Sequence, residues 1–142
     1  MSDNPSKTLC ETVQMLKEAM VDEKEAACDY AAIAEKSRKP EEKEALLAIR
    51  RDEERHYGLL HEIYGEITGR EYQSEQVGAE LPHRYAEMLK SSICGELEAA
   101  AHYEKLACGL ACMRHKEIVC SILNDEKMHA KRLAAIYQSY AR

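Results

Sequence analysis

The chain has 142 residues, 45% of them hydrophobic and 32% charged, a balance that suits one soluble globular domain (1–142) with a sizeable core. Its formal net charge of -6 argues against nucleic acid as a partner, because phosphate binding needs clustered Lys and Arg, and it does not repel metal cations. No apolar run approaches the roughly 18 to 20 residues that cross a bilayer, and the opening MSDNPSKTL has no apolar signal core, so a cytoplasmic protein with no membrane partner is expected.

Gly and Pro are scarce, Ala, Glu, Leu, Lys and Met abound, and no run alternates like a strand, so the pattern is all-α. The first helix is expected over about 7–37. Pro40 opens the second, with Glu41, Glu42 and Glu44 at the positive end of its dipole, and Gly69 closes it. Residues 69–81 are polar, hold two glycines and show no helical period, so they read as a connector. The third helix is expected from near Pro82 to about Leu110. A turn near 111–115 leads into the fourth, which runs to about Tyr140.

The second half repeats the first. An offset of 73 carries Met15-Leu16-Lys17 onto Met88-Leu89-Lys90, Glu23 onto Glu96, Tyr30 onto Tyr103 and Asp52-Glu53-x-x-His56 onto Asp125-Glu126-x-x-His129. Roughly a third of the positions from Met15 to Tyr64 match without a gap, as copies of one helical hairpin should. The repeats span about 7–68 and 82–141.

Glu-x-x-His alone carries little weight in a chain this rich in Glu. A third instance, Glu80 to His83, straddles Pro82 and is not a helix-interior motif. The other two each follow an Asp and sit at the repeat offset. Residues at i and i+3 share a helix face, so Glu53 and His56 lie on the apolar stripe Ile49, Leu60, Ile63. Glu126 and His129 lie on the stripe Ile122, Leu133, Ile136. One Glu interrupts each remaining stripe, Glu23 on the first helix and Glu96 on the third. At about 1.5 Å per residue, the four motifs meet at mid-height when the hairpins face each other.

Burying an unpaired carboxylate costs several kcal/mol, and four cannot ionise together in a dry core without cations. Two metal ions held by Glu23, Glu53, His56, Glu96, Glu126 and His129 would neutralise them. Oxygen-rich ligation with one imidazole per ion suits iron or manganese. One Glu from each of two helices plus Glu-x-x-His from each of the other two is the ligand set of di-iron and di-manganese carboxylate bundles.

On Glu23-x-x-Ala26-x-x-x-Tyr30, Asp52-Glu53-x-x-His56, Glu96-x-x-Ala99-x-x-x-Tyr103 and Asp125-Glu126-x-x-His129, the chain resembles the ferritin-like superfamily, its rubrerythrin-type branch in particular. The resemblance covers nearly the whole chain. It implies a ferritin-like four-helix bundle with a crossover connector, two irons, and peroxide or O2 as the oxidant. It also implies that Glu53 and Glu126 bridge while Glu23 and Glu96 are terminal. Two departures weaken the peroxidase reading and help the ferroxidase and oxygenase alternatives, with peroxide or O2 reduction still the leading reading. Ala99 and Ala100 stand where such proteins often carry a further carboxylate. No Cys-x-x-Cys pair encodes a rubredoxin-type iron site, so electrons are expected from an external donor.

A ligating His usually donates its other N–H to a carboxylate or carbonyl. A crossed pairing is expected, Asp52 to His129 and Asp125 to His56. Tyr30 and Tyr103 are expected either to bond the ligating carboxylates or to be plain core residues. Glu25 and Glu98 fall about 200° round from Glu23 and Glu96 and are expected on a solvated face. His61, His83, His102 and His115 are not expected as ligands. Cys28, Cys94 and Cys120 are expected as small core residues, Cys108 and Cys112 stand four apart near the end of the third helix with at most a redox or accessory metal role, and Cys10 carries no signal.

Four functions compete: peroxide or O2 reduction, ferroxidase and iron handling, oxygenation of an organic substrate, and a metal-free structural bundle. About thirteen extended connector residues reach about 43 Å. That permits the crossover, or a hairpin swapped with a second chain in a homodimer.

Overall fold

The computed structural model of the chain describes residues 5–73 and 80–141. Four helices make the molecule: α1 (Pro5–Lys36), α2 (Pro40–Thr68), α3 (Tyr85–Gly109) and α4 (Met113–Gln138). No strand occurs among the described residues, and no helix there is long and apolar enough to cross a membrane. The middle of the connector, 74–79, lies outside the described residues, as do 1–4 and 142 of the expected domain.

Local chemistry sets the helix ends. Lys39 is extended (φ -106°, ψ 123°), Pro40 enters α2 where its missing N–H is not needed, and Glu41 and Glu42 follow in the first turn. Gly69 takes a left-handed φ of 70°, and its N–H reaches Gly65 O at 2.8 Å, which ends α2. α3 starts later than Pro82, because Arg84 is still extended (φ -86°, ψ 135°). Lys36 Nζ donates to His83 O at 2.6 Å and draws this lead-in across the end of α1.

Each helix packs on two others. α1 and α4 both lie against α2 and α3, while the diagonal pairs do not meet. Thr12 near the start of α1 reaches Gly109 O at the end of α3 (3.2 Å), so these two helices are antiparallel. The approach is close enough that a Cβ at Gly109 would collide with Thr12 Oγ1. Tyr140, just past α4, donates to Glu42 at the start of α2 (2.7 Å), so that pair is antiparallel too. α2 and α3 therefore run the same way. Parallel α2 and α3 are what the crossover arrangement requires.

Two apolar clusters fill the interior. One holds Leu16, Met20, Leu60, Leu106 and Ile122. The other holds Tyr30, Ile33, Leu46, Ile49 and Leu133. A polar layer separates them.

All six cysteines are exposed, including Cys28, Cys94 and Cys120, which the apolar composition had suggested were core. The reason is angular. Each sits two positions before a buried residue (Tyr30, Glu96, Ile122), about 200° round the helix from it. His115, not expected as a ligand, is buried, with Nε2 on Glu66 Oε2 where the start of α4 meets the end of α2.

Candidate metal centre

The polar layer is built from one residue of α1, two of α2, one of α3 and two of α4. Glu23, Glu53, His56, Glu96, Glu126 and His129 are none of them more than 3% exposed. Their side chains converge. His56 Nδ1 lies 3.1 Å from Glu126 Oε1, 3.5 Å from Glu23 Oε1 and 3.8 Å from Glu53 Oε1. His129 Nδ1 lies 2.9 Å from Glu53 Oε1 and 3.5 Å from both Glu96 Oε2 and Glu126 Oε1.

The six form two overlapping groups, Glu23–Glu53–His56–Glu126 and Glu53–Glu96–Glu126–His129. Within each, the donor atoms lie within 4.8 Å of one another. Glu53 and Glu126 belong to both groups.

The outer ring nitrogens are tied across the α2–α4 seam. His56 Nε2 is 2.8 Å from Asp125 Oδ2, and His129 Nε2 is 2.8 Å from Asp52 Oδ2. The crossed pairing is thus present. An ionised carboxylate only accepts, so each Nε2 carries the proton and each Nδ1 faces inward. Arg55 Nη2 lies over the pair, 2.8 Å from Asp125 Oδ2 and 3.8 Å from Asp52 Oδ1. Burial would raise Asp125, but His56 and Arg55 together hold it below the usual range.

Tyrosines brace the other side. Tyr30 OH donates to Glu96 Oε1 at 2.5 Å, and Tyr103 OH donates to Glu23 Oε1. Both phenols are buried, and burial with the adjacent carboxylate pushes each well above its ordinary value. Both therefore keep the proton that they donate.

The electrostatics demand positive charge. Burial pushes Glu23, Glu53 and Glu96 above the ordinary carboxylate range. Burial would lower His56, but Glu126 and Glu23 beside it push it up to about 11. Protons and carboxylates here compete for too few compensating charges.

The residues fit a pair of metal ions by a direct test. Among the described residues, seven buried side-chain N or O atoms have no hydrogen-bond partner. Six are Glu23 Oε2, Glu53 Oε1, Glu96 Oε2, Glu126 Oε1, His56 Nδ1 and His129 Nδ1, one from each member of the cluster. Lone pairs of nitrogen and carboxylate oxygen facing one another across 2.9–3.8 Å repel unless a proton or a metal ion lies between them.

A cavity of about 650 Å3 opens onto this layer between α1 and α3. Glu23, Glu53, Glu96 and Glu126 reach its floor, and Asp22, Glu25, Asp29 and Glu98 line it further out. Glu25 and Glu98 thus stand on the cavity wall, where a plain solvated face was expected. Burial and Glu25 push Asp29 up to about 6. His102 also lines the cavity and holds Met15 O at 3.1 Å.

Sequence reasoning missed Arg55. Its repeat-related position is Met128, so the symmetry that exposed the other residues concealed this one.

A bundle with a buried carboxylate–histidine cluster able to hold metal is the class that fold and site define. No protein-family model matches the chain. It is 28% identical over 118 residues to the uncharacterized protein YhjR of Bacillus subtilis, covering 83% of this chain and 81% of that one. A hypothetical protein from Pyrococcus furiosus superposes with a TM-score of 0.79 at 24% identity, over 89% of this chain and 88% of the other, so the two share the fold.

Proposed function

We propose that this chain is a di-iron carboxylate oxidoreductase that reduces peroxide or O2, similar to rubrerythrins. The observation that carries the proposal is the pair of overlapping ligand groups sharing Glu53 and Glu126. In this reading Glu53 and Glu126 would be shared by two ions, Glu23 and His56 would complete the donors to one, and Glu96 and His129 would complete the donors to the other. Oxygen-rich donors with one imidazole per ion suit iron, and also manganese.

The chemistry that two ferrous ions supply when bound is two-electron reduction of an O–O bond. The chain's own part is to hold, orient and insulate. Four carboxylates offset the added positive charge in a layer sealed above and below by apolar clusters. Asp125 and Asp52 keep His56 Nδ1 and His129 Nδ1 turned inward. Tyr30 and Tyr103 stop Glu96 and Glu23 from swinging away. The cavity between α1 and α3 gives a small oxidant access. Electrons come from an external donor. A cytoplasmic setting agrees with six cysteines that form no disulfide, and a homodimer is the assembly in this reading.

Ferroxidase activity is the second reading, and the cavity favours it over oxygenation. No large aliphatic side chain lines the cavity, so an apolar substrate finds little to bind, whereas a ferrous ion meets carboxylates. Stopped-flow absorbance separates the readings. Protein loaded anaerobically with two Fe(II) is mixed with peroxide or with O2. Much faster oxidation by peroxide is expected for the oxidoreductase. Fast oxidation by O2 with continued iron turnover would establish the ferroxidase instead, and failure to bind iron would end both.

A further inference from the structure

Resting on the metal centre proposed above, we infer that the cavity between α1 and α3 is a capture and entry site for hydrated divalent cations, which pass from its acidic mouth to the buried carboxylates.

Three observations converge. The first is shape. Where α1 and α3 face each other, the side chains are small: Ala19 and Ala26 on α1, Ser92, Gly95 and Ala99 on α3. They are too short to close the gap, and about 650 Å3 remains. A hexahydrated ion needs on the order of 200 Å3 at about 30 Å3 per water, so it enters without shedding its shell.

The second is charge. Asp22, Glu25 and Asp29 from α1 and Glu98 from α3 line the cavity, and no Lys or Arg does. None of the four takes part in an ion pair among the described residues, where Arg50, Arg51, Arg55 and Arg114 neutralise acids elsewhere on the chain. Like charges concentrated in a cleft focus the field and raise the local concentration of counter-ions.

The third is what lies at the floor. Glu23, Glu53, Glu96 and Glu126 all border the cavity, are at most 3% exposed, and each leaves one oxygen without a hydrogen-bond partner. An ion held at the mouth therefore has unpaired acceptors ahead of it.

The direction of approach is also set. The offset of 73 relates Glu25 to Glu98 and Ala26 to Ala99, so the cavity straddles the axis that relates the two repeats. The opposite face of the same layer, on α2 and α4, carries the Arg55 guanidinium. There it sits between Asp125 and Asp52, so the acids without an ion pair lie on the cavity side, and both ligand groups are reached from a common mouth.

The probe is Co(II), whose ligand-field absorbance reports binding without any turnover. Chelator-stripped full-length protein is mixed with Co(II) at several ionic strengths. One variant carries Asp22→Asn, Glu25→Gln, Asp29→Asn and Glu98→Gln. A control of equal net charge carries Glu41→Gln, Glu71→Gln, Glu87→Gln and Glu117→Gln, all exposed positions away from the cavity. The expected result is that all three proteins take up two ions per chain. The cavity variant should load about tenfold more slowly at low salt and lose its salt dependence, while the control keeps the parent rate. Equal loading rates for the cavity variant and the control would overturn the inference and leave the metal centre standing. If the parent binds no Co(II), the metal centre itself fails and the inference falls with it. Should the fourfold variant not fold, the pair Asp29→Asn and Glu98→Gln is read in the same assay, with the same two outcomes.

Discussion

Asp125 on α4 reaches across the seam to hold His56 on α2, Oδ2 to Nε2 at 2.8 Å, and Asp52 holds His129 at the same distance. Each hairpin thus orients the imidazole that the other supplies. Neither half of the centre is in order without its counterpart.

That crossing makes the aspartates separable from the fold. Asp125→Asn should leave the helices intact and lower metal affinity on the His56 side about 10- to 100-fold. Asp52→Asn should do the same on the His129 side. Arg55→Met, which gives α2 the residue that α4 has at its matching position, should cost less than either but act on both. Competition against a calibrated chelator reads each affinity. An Asp125→Asn protein that binds metal as tightly as the parent would remove the orienting role assigned here.

Glu23 and Glu53 should differ in kind. Glu53 belongs to both ligand groups and Glu23 to one. Glu23→Ala is therefore expected to retain one ion per chain near the parent affinity, and Glu53→Ala to weaken both. Elemental analysis after dialysis against a weak chelator distinguishes them. Loss of a single ion from each variant alike would contradict the sharing of Glu53.

Stability against pH should invert when metal is removed. His56 is raised from 6.5 to about 11, and Glu53 and Glu96 are raised from 4.5. A raised group contributes stability that is full below its unfolded value and lost as pH climbs through its folded one. Glu126 runs the other way. Burial would raise it, but the imidazoles of His129 and His56 beside it bring it down to about 2, so its contribution fades only as pH falls below 4.5. Chelator-treated protein should thus melt highest in mild acid, near pH 4.5, and progressively lower above it, with His56 adding to the loss from about pH 6.5 upward. Metal replaces the protons, and its binding strengthens with pH, so the gap in melting temperature between loaded and stripped protein should widen. A gap that stays level from about pH 5.5 to 8.5 would exclude this coupling.

Much of this was legible in the chain because burial makes ionisable residues conspicuous. Glu53, His56, Glu126 and His129 interrupt apolar stripes at helical spacing, and they do so twice at one offset. Tyr30 and Tyr103 matched as well, though only the packed helices decide that their hydroxyls meet Glu96 and Glu23 and that they are not plain core residues. Cys28, Cys94 and Cys120 were misread because a thiol suits both core and surface, and only the angle from the buried stripe decides. Arg55 was invisible to repeat matching. The cavity was hidden for a different reason. It arises from what Ala26, Gly95 and Ala99 lack, and small residues signal helix packing as readily as a gap.

The doubling of the hairpin also governs how the centre responds to dilution. A layer shared by two separate hairpin chains would come apart once their concentration fell below the affinity of one for the other. Here the connector joins them, and the crossover brings α3 and α4 back onto α1 and α2. A tether of this length holds its ends at an effective concentration of roughly millimolar. Assembly of the ligand set is then a unimolecular event, as complete at nanomolar protein as at millimolar.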